Sequence, residues 1–456
     1  MDQPGTAPHE APKLEGMKAF LTVWIGQVVS LLGTGLTGFA LGVWVYQRTG
    51  SVTQFALILF FGSLPGLVLA PLAGALVDRW NRRTTLIASD AAAAVITLIL
   101  LLLLWDESKN LLELWHLYLL TAIASVAGSV QWPAFSAATT LLVAKEHYGR
   151  ASGLAQMAGA IAQIASPVLG AFLLLQVHLR GILLIDLATF GVAFVTWLLV
   201  RIPEPVRPPG GPATSLRQEA ATGWTYLRER PGLLALLILF ACTNFNVGML
   251  QALLPPLVLS FAPATTLGSM LSAAGFGLLA GTLLTGAWGG PKRRITGIFT
   301  GLLVQGLLLL VIGWRPSAIL IGAATFVFLA AAPVVNGCSQ AIWQVKVPAG
   351  LQGRVFAVRR MVAQCSLPLA FFLAGPLADR VFEPLLAPQG PLAGSLGAVL
   401  GTGPGRGLGF LFIVLGLLVV AGLLFATTLP RLRRVEEELP DAEVAASGTV
   451  PGSSTS

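Results

Sequence analysis

The stretch GALVDRWNRR, residues 74–83, packs Asp78, Arg79, Arg82 and Arg83 into six positions between two long apolar runs. A knot of charge in such a setting marks a place where the chain leaves an apolar solvent. The runs on either side of it therefore decide the fold.

Composition supports this reading. The chain has 456 residues, of which 55% are hydrophobic and only 11% charged, with a mean hydropathy of +0.80. Soluble proteins carry about 25% charged residues, so the solvent for most of this chain is lipid. Runs long enough to cross ~30 Å of hydrocarbon fall at 19–46, 53–77, 84–105, 112–141, 151–175 and 180–200. A second set falls at 233–259, 266–289, 295–314, 316–343, 355–377 and 407–428. Backbone groups in lipid must be paired within a helix or a closed barrel. These runs are continuous and rich in Leu, Ala and Gly, without the alternation of barrel strands. They are therefore read as twelve helices.

Lys and Arg set the orientation. With the N-terminus inside, 22 of the 28 basic residues fall in inner segments and 6 in outer ones, so both termini are expected to be cytoplasmic. The expected organisation is an N-terminal tail (1–17), a six-helix half (18–201), a linker (202–232), a second six-helix half (233–428) and a disordered tail (429–456). GALVDRWNRR is echoed by GAWGGPKRRI at 286–295, and GRASGL at 149–154 by GRVFAV at 353–358. Two parallel six-helix repeats predict a substrate site between the halves near the midplane.

Other chemistries are excluded. The net charge of +8 comes from short clusters between apolar runs, which offer no face to nucleic acid. Cys242, Cys338 and Cys365 lie in apolar runs and read as packing residues. The four histidines are isolated, so neither metal nor cofactor is indicated. GTGLTG at 33–38 follows no strand and reads as close helix packing, not as a dinucleotide loop. No phosphate loop or hydrolase motif is present, so an enzyme is not expected, and an ion gradient or a separate subunit must supply energy.

Asp78 is the informative residue of the opening stretch. It ends span two, where the helix dipole disfavours negative charge. A basic neighbour such as Arg82, or the positive N-terminus of another helix, must stabilise it.

The stretch resembles the loop signature Gly-x-x-x-Asp-Arg-x-Gly-Arg-Arg of the major facilitator superfamily. Gly74, Asp78, Arg79, Arg82 and Arg83 match, and Asn81 replaces a glycine. The resemblance implies that Asp78 docks on the start of span eleven, near Gly353 and Arg354, as a gate latch. In span five, Gly153, Pro167 and Gly170 match the antiporter motif of drug exporters in that superfamily, while Ala162, Ser166 and Ala171 replace its other glycines. Small residues and a proline there predict a bent, tightly packed seam. The stretches at 131–143, 244–259, 336–361 and 374–386 resemble the macrolide-efflux branch, and siderophore exporters more distantly. Span four lacks the embedded arginine found in other drug–proton antiporters.

Asp90 in span three and Asp186 in span six are the acids that fall within spans. An intramembrane acid is a functional candidate, so both are candidate proton carriers, with Arg180 as one available partner for Asp186. Arg359 and Arg360 are expected no deeper than the first turns of span eleven. Gln27 and Thr34 (span one), Gln131 and Trp132 (span four), Asn244 and Asn246 (span seven), and Asn336, Gln340 and Trp343 (span ten) are candidates for a neutral, amphipathic substrate cavity. Interhelical polar glue is the alternative.

The expectation is an all-α membrane protein of twelve helices in two pseudo-symmetric halves, in the bacterial inner membrane. As a monomer it would export amphipathic small molecules such as macrolide-type drugs in exchange for protons. Export of an endogenous metabolite such as a siderophore is the first alternative, and a non-transport membrane enzyme or sensor on the same fold is the second.

Overall fold

The computed structural model describes residues 16–105, 111–200 and 216–438, apart from the side chains of residues 74–79, 216–220 and 438. The long helices are α1 Gly16–Thr49, α2 Val52–Arg79, α3 Arg82–Leu103, α4 Leu114–Leu142 and α5 Tyr148–Leu199. After α6 Leu216–Arg228 come α7 Pro231–Leu259, α8 Ala264–Trp288, α9 Arg294–Trp314, α10 Ala318–Lys346 and α11 Ala349–Pro376. A π-helical turn and the short α12 Glu383–Leu385 and α13 Leu396–Leu400 lead to α14 Arg406–Thr428, α15 Pro430–Arg433 and α16 Val435–Glu438.

Eleven helical stretches among the described residues are long and apolar enough to cross a membrane. One of them counts twice. The 52-residue α5 would measure about 78 Å if straight, far more than one crossing needs. It is broken at His178, whose φ of 56° is rare for a residue other than glycine.

Contacts with α1 show the chain reversing there. Trp24 donates to the Leu154 carbonyl, a Cβ on Gly35 would meet Ser166, and one on Gly170 meets Phe39. Both numbers rise together, so α1 runs parallel to residues 148–177. Beyond the break the order inverts: Gly26 faces Thr196, and Gly33 faces Thr189. Residues 179–199 therefore run antiparallel to α1, and the candidate crossings among the described residues number twelve.

The chain forms two compact units, residues 1–208 with 258–275, and residues 209–257 with 276–456. In the first, the third and sixth spans pair antiparallel: Asp90 of α3 meets Trp197, and Thr97 meets Asp186. In the second, the ninth and twelfth spans pair the same way, but through glycine. A Cβ on Gly313 would lie 2.2 Å from the Gly409 carbonyl oxygen, and one on Gly416 would lie 2.7 Å from that of Gly306. Lipid supplies no hydrophobic drive between helices, so close backbone approach and dispersion hold such seams. The first unit's equivalent seam spends its polar capacity on two acids instead.

Two segments read as linker and tail are structured. Residues 216–228 of the expected linker form α6, whose Tyr226 and Leu227 are buried. It packs closely enough on α11 that a Cβ on Gly223 would lie 2.7 Å from the Arg354 carbonyl oxygen.

The expectation of disorder from residue 429 is corrected over 430–438. Leu432 and Val435 are buried, because they sit in the core beside Leu233 and Leu236. The Glu436 carboxylate accepts from the backbone N–H groups of Arg294 (2.9 Å) and Ile295 (3.2 Å), the uncapped start of α9. Lys346 Nζ donates to the Glu436 carbonyl at 2.6 Å. Residues 439–456 lie outside the described residues.

Candidate functional site

Asp90 sits nine residues into α3 and is 2% exposed. Its Oδ1 accepts from Gln131 Nε2 of α4 at 2.7 Å, and its Oδ2 from Trp197 Nε1 of α5 at 2.8 Å. The Gln27 amide of α1 faces the same carboxylate, but its Nε2 closes no hydrogen bond of normal geometry. Asp186 is 1% exposed. Its Oδ2 accepts from Thr37 Oγ1 of α1 (2.8 Å) and Thr97 Oγ1 of α3 (3.2 Å). Thr189 approaches Oδ1 at 3.5 Å.

Both acids therefore sit among neutral donors from three helices. No ion pair to either is formed among the described residues. The pairing of Asp186 with Arg180 is not formed: Arg180 Nη2 donates to the carbonyls of Leu104 and Trp105. A buried acid without a counter-charge holds its proton at low cost and its charge at high cost. The two are separated along the α3–α5 seam by roughly 10–16 Å, at 1.5 Å per residue.

The opening stretch connects to this seam. Asn81, where the family pattern has glycine, is the N-cap of α3, its Oδ1 accepting from Arg83 N and Thr84 N. Arg82 Nη1 donates to the Trp80 carbonyl at 3.3 Å. Arg83 reaches across to the carbonyls of Trp197 (3.0 Å) and Leu198 (3.2 Å). Trp197 thus carries Arg83 on its carbonyl and Asp90 on its indole. The side chains of Asp78 and Arg79, and the surroundings of Gly74, lie outside what the structure describes. Gly353 is exposed, with nothing near a Cβ placed there.

Of the span-five motif residues, Ser166 is buried and donates to the Leu32 carbonyl at 3.3 Å. The Pro167 carbonyl oxygen lies 2.4 Å from a Cβ built on Gly268, in the same unit, and Gly170 abuts Phe39. Gly153 has open space beside it.

The cavity candidates divide. Gln27 and Gln131 face Asp90. Trp132, 53% exposed, lines a cavity of about 200 Å³ in the first unit with Ser136, Thr139 and Gln156. Asn246 lines one of about 350 Å³ in the second unit, walled by apolar side chains of α7, α9 and α14. Asn246 and Asn244 each donate to the carbonyl one turn earlier in α7. Thr34 and Asn336 are exposed. Trp343 is wholly buried in the core of the second unit.

Gln340 accepts from Arg359 Nη1 at 2.7 Å. Arg359 is ten residues beyond the first residue of α11, about 15 Å along it. Its Cζ lies 5.1–6.0 Å from the ring centroids of Trp343, Phe240 and Phe356.

A family model described as Major Facilitator Superfamily matches residues 23–371. The chain belongs to the major facilitator superfamily. Over 369 residues it is 28% identical to Macrolide efflux protein A of Streptococcus pyogenes, covering 79% of this chain and 90% of that one. It is 26% identical over 364 residues to Multidrug efflux pump Tap of Mycolicibacterium fortuitum, covering 76% and 86%. Among solved structures, an inward-facing bacterial homolog of the human lysosomal transporter Spinster aligns with a TM-score of 0.67 at 13% identity, covering 90% and 95%. The nucleoside transporter NupG aligns with 0.67 at 12%, covering 90% and 99%. These two structural likenesses are of fold.

In this superfamily member, sequence reasoning missed Trp197, Thr37, Thr97 and Arg359. A tryptophan near a span end signals the interfacial belt, and a threonine in a span signals backbone glue. Neither signal names an acid on another helix.

Proposed function

We propose that this major facilitator is an efflux transporter for amphipathic small molecules of the macrolide type, working by alternating access in exchange for protons across the bacterial cell membrane. The likeness to Macrolide efflux protein A over 90% of that relative's length carries the reading. Asp90 and Asp186 are the proton carriers, because each is a buried acid held only by neutral donors. Protonation of Asp90 weakens its hold on the Trp197 indole, and Arg83 grips the carbonyl of that same residue. The proton is thereby tied to the junction of α3 with α2, whose last turn carries the latch residue Asp78. The cavity lined by Trp132 contributes to the substrate path, offering a ring and hydroxyls in one pocket.

The test is accumulation of a labelled fourteen-membered macrolide in a bacterial host stripped of its own pumps. Cells expressing the chain accumulate less than vector controls, and a protonophore abolishes the difference. Accumulation equal to vector, with good membrane expression, overturns the substrate assignment. A difference indifferent to the protonophore overturns proton exchange.

A further inference from the structure

Arg359 is a half-buried cation with no part in the proton and latch mechanism. A guanidinium has five N–H donors. Two are engaged, Nη1 with Gln340 Oε1 at 2.7 Å and Nη2 with Ser339 Oγ at 3.3 Å. No carboxylate pairs with it among the described residues. Aromatic faces of Phe240, Trp343 and Phe356 surround it. They attract a cation but offer no acceptor. The indole N–H of Trp343, in the same cage, is buried and lacks an acceptor too. The cluster is rich in donors and short of negative charge.

It is also within reach. Gln340 lies between Asn336 and Gln344, one turn away on either side of the same face of α10, and both are exposed. Arg359 itself is half-buried. A charge withdrawn from water needs a partner to offset its desolvation, and a planar guanidinium with donors to spare matches a carboxylate in two-point geometry.

We infer that Arg359, with Gln340 holding its guanidinium, is a specificity residue that receives the anionic group of an amphipathic substrate, whose apolar body lies against the half-buried rings of Phe240 and Phe356. The efflux reading is needed only for transport of such a molecule; the binding site stands apart from it.

The probe is fusidic acid, a carboxylated steroid, set against its uncharged methyl ester. Binding is measured by equilibrium dialysis with the full chain in lipid nanodiscs, empty discs giving the background. Wild type is expected to bind the acid about tenfold tighter than the ester, the worth of one charge-assisted pair. Arg359→Gln should bring the acid down to the ester's affinity and leave the ester unchanged, and Arg359→Lys should keep part of the preference. Equal affinities in wild type, or no binding of either by folded protein, overturn the inference. So does an equal loss of acid and ester in Arg359→Gln, which marks a structural role. If that variant does not fold, the acid-to-ester ratio of the wild type decides alone. Macrolide accumulation in cells expressing the chain tests efflux separately: its failure beside an intact acid preference sinks the efflux reading and leaves the Arg359 site standing.

Discussion

The Asp186 carboxylate occupies space that a side chain at position 33 would need. A Cβ built on Gly33 would lie 2.7 Å from Asp186 Oδ1 and 2.1 Å from Thr189 Oγ1. α1 and the second half of α5 therefore approach to glycine distance at the level of a buried acid. Gly33→Ala should lower thermal stability in detergent, an overpacking cost of about 1–3 kcal/mol. Gly38→Ala should not, because nothing lies within 4 Å of a Cβ there. Equal melting temperatures for the two variants would refute this packing.

Asp90→Asn and Asp186→Asn keep the shape of each side chain: at 186 one oxygen still serves Thr37 and Thr97, and at 90 it serves Trp197 while Gln131 can turn its amide oxygen to the new NH2. Each should fold and reach the membrane, yet lose proton-driven macrolide efflux by at least about tenfold, or ~1.4 kcal/mol on the transport barrier. Uptake assays with an imposed pH gradient measure it. Wild-type efflux in one variant removes that acid as a carrier; wild-type efflux in both removes the proposed coupling.

Glu436 and Glu437 are neighbours with unequal tasks. Glu436 caps α9, and Glu436→Ala should cost about 1 kcal/mol, as loss of a helix cap does. Glu437 pairs with Arg293, but the two side chains are 56% and 73% exposed, and such pairs contribute little in water. Glu437→Ala should leave the melting temperature unchanged. The reverse order would show that the tail is not docked as described.

Tyr226 of α6 donates its hydroxyl to the Lys346 carbonyl at 3.0 Å. Burial pushes this phenol up from its ordinary value near 10, against the opposing charge of Arg230. The folded state thus binds the proton more tightly than the unfolded one. The resulting stability is fully present below the ordinary value and lost as pH rises through the raised one. Unfolding followed from about pH 9 to about pH 11 should show this alkaline decline in wild type, and Tyr226→Phe should flatten it. An identical decline in both would assign it to other groups.

Much of the architecture was legible because the dominant driving force of membrane folding is set locally along the chain. A run of apolar residues states its own solvent, and the backbone in that solvent has helix as its answer. The close-packing reading of GTGLTG holds at Gly33 and Gly35, since small residues in a span have few other uses. The tail at 430–438 misled by composition: Leu432 and Val435 find a buried seat and Glu436 a helix to cap, which its polar neighbours do not announce. The apolar edge of span eleven places Arg359 near the start of that span, but it does not announce the contacts with Gln340 and Phe240.

The sequence by itself determined the solvent, the helices and the superfamily, and it singled out Asp90 and Asp186 as acids within spans. Those properties follow from residues adjacent along the chain. The tertiary structure alone decided their partners: Gln131 and Trp197 for Asp90, Thr37 and Thr97 for Asp186, Gln340 and three rings for Arg359. The contacts of Asp90 with Trp197 and of Asp186 with Thr37 and Thr97 join helices far apart in sequence, and the arginine's ring contact with Phe240 does the same. A shift of one helix against another by a single turn would exchange the partners while leaving every apolar run unchanged.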